Sequence, residues 1–472
     1  MDIVLQILTT EQMDKLKELE VSICFASASS MRKMPVFSTI VCMFLILICY
    51  ILLRRRIPVY LLDFACFTPN PRSRCPTAAF MEHSTLMGFF NEASLQFQKL
   101  ILERSGVGEM SSLPTGLTYL PPRMTISDAR QETESSIFST VETLLSKTSI
   151  AAHEIDIVVA NCSCFTPVPS LSEMIVNKFK LRSDVRVYNL SGMGCSASAI
   201  SLNVAQSLMR VHRNSYAMVV SAENITRNYY CGNRRSMMIP NCLFRVGAAA
   251  ILLSNKPRDA TRSKYKLERV VRTITGADDR SYNCVYQQED EEGHVGVSLS
   301  RDLVKVAGDA LKFNITTVAP LVLPLKEQLF YVISEVLRRI QSNPKSRPYV
   351  PDFKKAVDHI CVHAGGRSII DEIERSLRLQ PEHMEASRMT LHKFGNTSSS
   401  SIWYELAYLE AKGKIKPAQL VWQIAFGSGF KCNSLIWRAM PSILEHCMEG
   451  NCKNPWKDYV HQYPITISQI RQ

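Results

Sequence analysis

The 15 cysteines form no CxxC pair, and no cysteine or histidine spacing matches a metal ligand set. Their number is odd, and Cys162 and Cys164 stand one residue apart, which suits neither a zinc ribbon nor a disulfide. The thiols therefore read as mostly free, in a reducing compartment. No basic run interleaved with aromatics appears beyond Arg54–Arg56, so nucleic acid is the weakest anionic partner. A convincing sequence repeat is also missing. Of 472 residues, 46% are hydrophobic and 21% charged, which excludes global disorder and allows a large packed core.

What is present begins with charge. The net charge of +12 suits a membrane surface or a phosphate-bearing ligand. Pro35–Leu53 (PVFSTIVCMFLILICYILL) is uncharged and nearly all apolar. Its 19 residues at a helical rise of about 1.5 Å cover about 28 Å, close to a bilayer core. A cleaved signal peptide is a poorer reading, because the run starts far from Met1 and no small-residue cleavage site follows. Residues 35–53 are expected to form a transmembrane helix after an N-terminal segment, 1–34. Arg54–Arg56 outweigh Arg32 and Lys33, which tilts the C-terminal bulk toward the cytosol. Asn224, Asn314 and Asn396 head glycosylation sequons that would matter only on the lumenal side.

From Val59 onward, apolar runs alternate with helical patterns. Ile155–Ser163, Val185–Leu190, Tyr216–Glu223 and Ala248–Asn255 read as buried strands, covered on both faces. The stretch after Cys195 carries Ala197, Ile200, Val204, Leu208 and Val211 at helical spacing. Asp358–Gly366 and Leu420–Phe430 are strands running into glycine turns, and SLIWRAM is a closing strand. The expectation is an α/β fold with a mostly parallel, internally duplicated core. Its halves would span 59–275 and 276–440, leaving a polar tail at 441–472.

Three strand-end turns carry reactive side chains. NLSGMGC places Cys195 behind two glycines and at the start of a helix, where unsatisfied N–H groups favour thiolate. His363 ends a strand ahead of AGGR, and Asn396 precedes a serine run and a helix with Ile402, Leu406 and Leu409 on one face. Taken singly, each has a plainer reading: an inert thiol, a core histidine, a helix cap. Together, a Cys, a His and an Asn form an acyl-transfer site, and the FGSGF turn can offer backbone donors to an oxyanion.

The runs NLSGMGCSAS, CVHAGGRSIIDEIE, ASRMTLHKFGNTSSSSIWYELAYLEAKG and VWQIAFGSGFKCNSLIW resemble the plant 3-ketoacyl-CoA synthases, the condensing enzymes of very-long-chain fatty acid elongation. The likeness covers roughly Val59–Met440. It implies a thiolase-like α/β/α/β/α fold and a Cys195, His363, Asn396 triad, with the backbone N–H of Ser428 as an oxyanion donor. It also implies acyl-CoA and malonyl-CoA as substrates and no tightly bound cofactor or metal. A homodimer, elongase-complex reductases and dehydratase as partners, and the endoplasmic reticulum membrane follow from the same likeness. His359 and His392 match family histidines and are expected to support the site. Two positions depart from the pattern: Ile274, where the family usually has histidine, and Ser198, where glycine is common. The competing readings are a type III polyketide synthase or ketoacyl-ACP synthase, which share the triad, and a catalytically weak scaffold of the elongase complex.

Overall fold

Apolar β-rich runs of four to ten residues build the core. The computed structural model describes residue 43, residues 57–340, residue 349, and residues 351–443 and 453–465. Apart from Met43, the expected segments 1–34 and 35–53 lie outside these residues. Among the described residues, no helix is long and apolar enough to cross a membrane.

The described strands are β1 (Tyr60–Cys66), β2 (Ile157–Asn161), β3 (Arg186–Leu190), β4 (Tyr216–Ala222), β5 (Ala248–Ser254), β6 (Tyr265–Ile274), β7 (Val285–Glu289), β8 (Val295–Leu299), β9 (His359–Val362), β10 (Leu420–Gly427) and β11 (Lys431–Ala439). Strands β7 and β8 form a separate hairpin, and the other nine run in the order β3-β2-β4-β5-β1-β6-β11-β10-β9. One pairing scheme occurs twice. Parallel β2 and β4 lead to β5, which is antiparallel to β4 and β1. Parallel β9 and β10 lead to β11, which is antiparallel to β10 and β6. The two half-sheets join where Tyr60 and Leu61 meet Lys266 and Tyr265, and the Leu267 N–H donates to the Val59 carbonyl at 2.9 Å beside them.

Two expectations are corrected. The sheet is mixed, with three parallel and five antiparallel pairings, not mostly parallel. A strand buried on both faces has the same apolar run whichever way its neighbour points. Val185–Leu190 is also no buried strand. It ends the sheet as β3, with Val187 37% and Tyr188 39% exposed.

Side chains alternate across each half-sheet, as strand geometry requires. Val159, Val219 and Ile251 face a central cluster, while Val158, Val220 and Leu252 face an outer one. In the second half, Val421 and Leu435 face the same central cluster, and Trp422 and Ile436 face another outer one. The Ala197–Val211 and Ser401–Ala411 helices fill the central layer. Ile126–Thr148 and Leu303–Val322 are among the helices that cover the outer faces. The five-layer α/β/α/β/α order follows.

At the join, the buried Lys264 ammonium bridges Asp63 of β1 and Glu410 of the Ser401–Ala411 helix, each at 2.9 Å. Burial alone would raise the Asp63 carboxyl, but Lys264 and Lys147 outweigh it and hold the group at about 2. The tail that the sequence left unassigned is anchored at Lys453–Ile465. Trp456 is fully buried there, donates to the Tyr404 carbonyl at 2.8 Å and packs edge-on against Phe394, Tyr408 and Tyr463.

Candidate active site

Cys195 lies in the turn Gly194–Ser196 between β3 and the Ala197–Val211 helix. Gly194 adopts φ +66°, and a Cβ there would sit 2.4 Å from the Ser428 backbone nitrogen. Only glycine lets the β10–β11 turn come this close to the cysteine turn. The helix behind Cys195 differs from its sequence reading. Val211 is 67% exposed, and the buried stripe contains Ser198, Ser201 and Met209.

His363 follows β9, with its backbone N–H bound to Ile424 of β10 at 2.9 Å. Its Nδ1 is 2.6 Å from Ser401 Oγ. A serine hydroxyl both donates and accepts, so this contact suits either neutral tautomer and also the imidazolium. Burial holds the imidazole down at about 4, so it is neutral at physiological pH. Nε2 lies on the Gly365 side, where a Cβ would be 3.0 Å away. Asn396 is pinned by its own amide: Nδ2 donates to the Gly365 carbonyl at 3.1 Å and Oδ1 accepts from Ser398 N–H at 2.8 Å.

Cys195, His363, Asn396 and Ser428 all line one cavity of about 400 Å³. Its apolar walls include Val285, Val297 and Leu303, with Phe426 and Phe430 beside the glycine turn. The chemistry of the thiol differs from the sequence expectation. Burial pushes Cys195 up to about 12, against the pull of the Ser398 hydroxyl, and Glu223 raises it further. Desolvation of the charged form outweighs the favourable helix terminus. To act as a nucleophile the thiol would need a base, and His363 is a neutral imidazole on the same cavity.

His359 and His392 lie outside this cavity. His359 Nε2 pairs with Gln419 Oε1 at 3.0 Å. His392 Nδ1 pairs with the Tyr463 hydroxyl at 3.1 Å, at the end of the helix that leads to Asn396. Ser198 is fully buried and accepts from Trp403 Nε1 at 2.8 Å, joining the two central helices. Ile274 is 70% exposed at the end of β6.

Sequence reasoning missed Glu223 and Ser398. Glu223 accepts from the backbone N–H groups of Ser163 and Cys164 at 3.1 and 3.0 Å. The Ser398 hydroxyl lies 3.0 Å from Glu223 Oε2 and 3.4 Å from Cys195 Sγ. Ser398 holds φ +55°, a strained value for serine that aims its hydroxyl between these two groups. A buried carboxyl beside a strand end was visible as SAENIT, but nothing in that run pointed toward Cys195.

Comparison with known proteins supplies the family. The model described as FAE1/Type III polyketide synthase-like protein matches residues 50–340. The C-terminal model of 3-oxoacyl-[acyl-carrier-protein] synthase III matches 354–439. From Arabidopsis thaliana, 3-ketoacyl-CoA synthase 4 is 55% identical over 89% of this chain and 80% of its own length. Its 3-ketoacyl-CoA synthase 17 is 54% identical over 87% and 83%. The chain belongs to the 3-ketoacyl-CoA synthase family. It is thereby an acyltransferase of the condensing type. Solved structures agree on the fold. A fungal type III polyketide synthase, ORAS, superposes with a TM-score of 0.63 at 19% identity, over 81% of this chain and 99% of its own. CsyB complexed with CoA-SH gives 0.64 at 17%, over 81% and 100%.

Proposed function

We propose that this 3-ketoacyl-CoA synthase runs a decarboxylative condensation on Cys195, His363 and Asn396. The observation that carries the reading is the single apolar cavity onto which these three side chains and the Ser428 turn converge. His363 Nε2 takes the Cys195 proton, and the thiolate attacks the acyl-CoA thioester carbon. CoA leaves as its thiolate and takes a proton from solvent, the acyl group stays on sulfur, and the Cys195 proton remains on His363 Nε2. Malonyl-CoA then loses carbon dioxide. The enolate left behind is stabilised by N–H donors from His363 Nε2 and Asn396 Nδ2. Its carbon attacks the acyl thioester, whose oxyanion rests on the Cys195 and Ser428 N–H groups. Cys195 leaves as thiolate and regains its proton from His363 Nε2, and the product is a 3-ketoacyl-CoA two carbons longer. No step calls for a metal or a tightly bound cofactor.

The same reading puts the enzyme on the endoplasmic reticulum membrane, with the catalytic unit in the cytosol beside the elongase reductases and dehydratase. Pro35–Leu53 and Arg54–Arg56 support that orientation. So do the sequon asparagines: Asn224, Asn314 and Asn396 are 1%, 0% and 3% exposed, closed to a glycan in the folded unit. Each buried methylene of a long acyl chain is worth about 0.8 kcal/mol, so the substrate itself partitions into lipid. A homodimer is supported by β3, whose free edge and exposed Val187 and Tyr188 invite a second strand.

The test is expression in microsomes with labelled malonyl-CoA and a series of saturated and monounsaturated acyl-CoAs. Two-carbon elongation is expected, and Cys195→Ala is the control. Stable membrane expression without any elongated product would sink the reading. Asn396→Asp should slow decarboxylation more than acylation, because a carboxylate repels the enolate.

A further inference from the structure

The Leu325–Ile340 helix is built inside out. Leu325, Leu329, Val332, Val336 and Ile340 are 82%, 59%, 54%, 48% and 72% exposed, one above another at helical spacing. Phe330, Ile333 and Leu337 widen the stripe at 46%, 44% and 48%. The polar residues Glu327, Ser334, Glu335 and Arg338 are the more buried ones. Glu327 accepts from the Tyr349 hydroxyl and from Lys355 Nζ, each at 2.6 Å, and Arg338 pairs with Glu335 at 2.7 Å. None of the apolar residues of this helix joins the hydrophobic clusters of the described residues. An exposed apolar face of this extent marks a surface that something covers.

We propose that this helix lies on a bilayer surface with its apolar face in the lipid, a membrane contact separate from Pro35–Leu53 and independent of the catalytic reading. Length argues for lying and against spanning: 16 residues reach about 24 Å. Charge selects the occupant. Both acids of the helix are turned inward and paired, whereas Lys326 is exposed and the sequence continues into Lys345 and Arg347. On the preceding helix, Phe313 is 60% exposed, and Lys312 beside it pairs with Asp309 at 3.1 Å. Anionic headgroups complement the exposed Lys326, whereas a second copy packed face to face would set one Lys326 against the other. The chain's net charge of +12 works in the same direction.

The four native tryptophans, Trp403, Trp422, Trp437 and Trp456, are all fully buried, so their emission is a constant background out of reach of lipid-borne bromine, to be subtracted from that of each variant. The experiment places Val332→Trp in the full chain, reconstituted in phosphatidylcholine and phosphatidylserine vesicles with brominated acyl chains. Val168→Trp, at a position 90% exposed, serves as the reference. The residue-332 probe should lose more than half of its emission, and less when phosphatidylserine is replaced by neutral lipid. The residue-168 probe should keep its emission. Equal quenching of the two probes would overturn the proposal. So would a dimer in detergent that becomes monomeric in the double variant Val332→Glu, Val336→Glu, since that outcome names a second copy as the occupant. Elongation assays read the catalytic proposal separately, so either can fail without the other.

Discussion

The helix behind Cys195 and the helix behind Asn396 share the middle layer, yet they are buried to different degrees. In Ser401–Ala411, ten of 11 residues are buried, against eight of 15 in Ala197–Val211. Lys453–Ile465 accounts for much of the difference. Asn454 Nδ2 donates to the Ala407 carbonyl at 2.9 Å, and Trp456 seals Tyr404 and Tyr408. The side chains differ as well. Small residues, Ala197, Ala199, Ser201 and Ala205, line the first helix, whereas Trp403, Tyr404 and Tyr408 bulk out the second. Two halves with one strand scheme thus divide the chemistry. The first presents the Cys195 thiol on a close-fitting turn, and the second holds the His363 imidazole and the Asn396 amide beside an aromatic frame.

This contrast can be broken at several points. The largest effect is expected at the nucleophile: Cys195→Ala should lower condensation by about 10⁴-fold or more and abolish acyl-enzyme formation seen by intact mass. A surviving acyl-enzyme would move the nucleophile to another residue.

Next comes the joint between halves. Lys264→Met leaves Asp63 and Glu410 without their shared cation and should cost about 3–5 kcal/mol in urea denaturation of the enzyme. A near-wild-type midpoint would mean that the halves hold together without this triad.

His363 gives a pH signature to the second half alone. The unfolded imidazole takes up its proton near 6.5 and the folded one near 4. Between these values the unfolded state binds more protons, so stability falls as pH drops through the window, by on the order of 3 kcal/mol in all. His363→Gln should flatten that part of the stability curve. Elongation should show no loss centred on pH 6.5 that follows His363.

A smaller effect tests the tie between the helices. Ser198→Ala leaves the Trp403 indole N–H unpaired in the core and should cost about 1–3 kcal/mol by the same denaturation. Smallest of all is Ile274→His. At a site 70% exposed, thermal unfolding should shift by no more than about 0.5 kcal/mol equivalent. A larger change would give Ile274 a structural part that its exposure does not suggest.

Much of this was legible in the residues. Apolar runs located seven of the nine strands of the main sheet to within a few positions, though not β1 and β6, because burial on both faces leaves a continuous hydrophobic signature. Ile402, Leu406 and Leu409 are all buried in their helix, as their spacing on one face required. Cys195 and His363 stood out as reactive groups after strands, whereas Asn396, expected at a strand end too, follows the Glu385–Phe394 helix. Other features left no local trace. Strand direction did not, since an antiparallel neighbour and a parallel one bury the same side chains. The β3 edge looked like an interior strand, because composition does not record what lies beside a strand.

By itself, then, the sequence determined the element types, the family and the identities of the three reactive side chains, all properties carried by short contiguous runs. Tertiary structure alone decided that they face one cavity, that Ser398 and Glu223 join Cys195, that the thiol stays protonated, and that Ser198 meets Trp403. Those outcomes depend on contacts between residues up to about 200 positions apart and on the desolvation that packing imposes. Neither is written in any local stretch of chain.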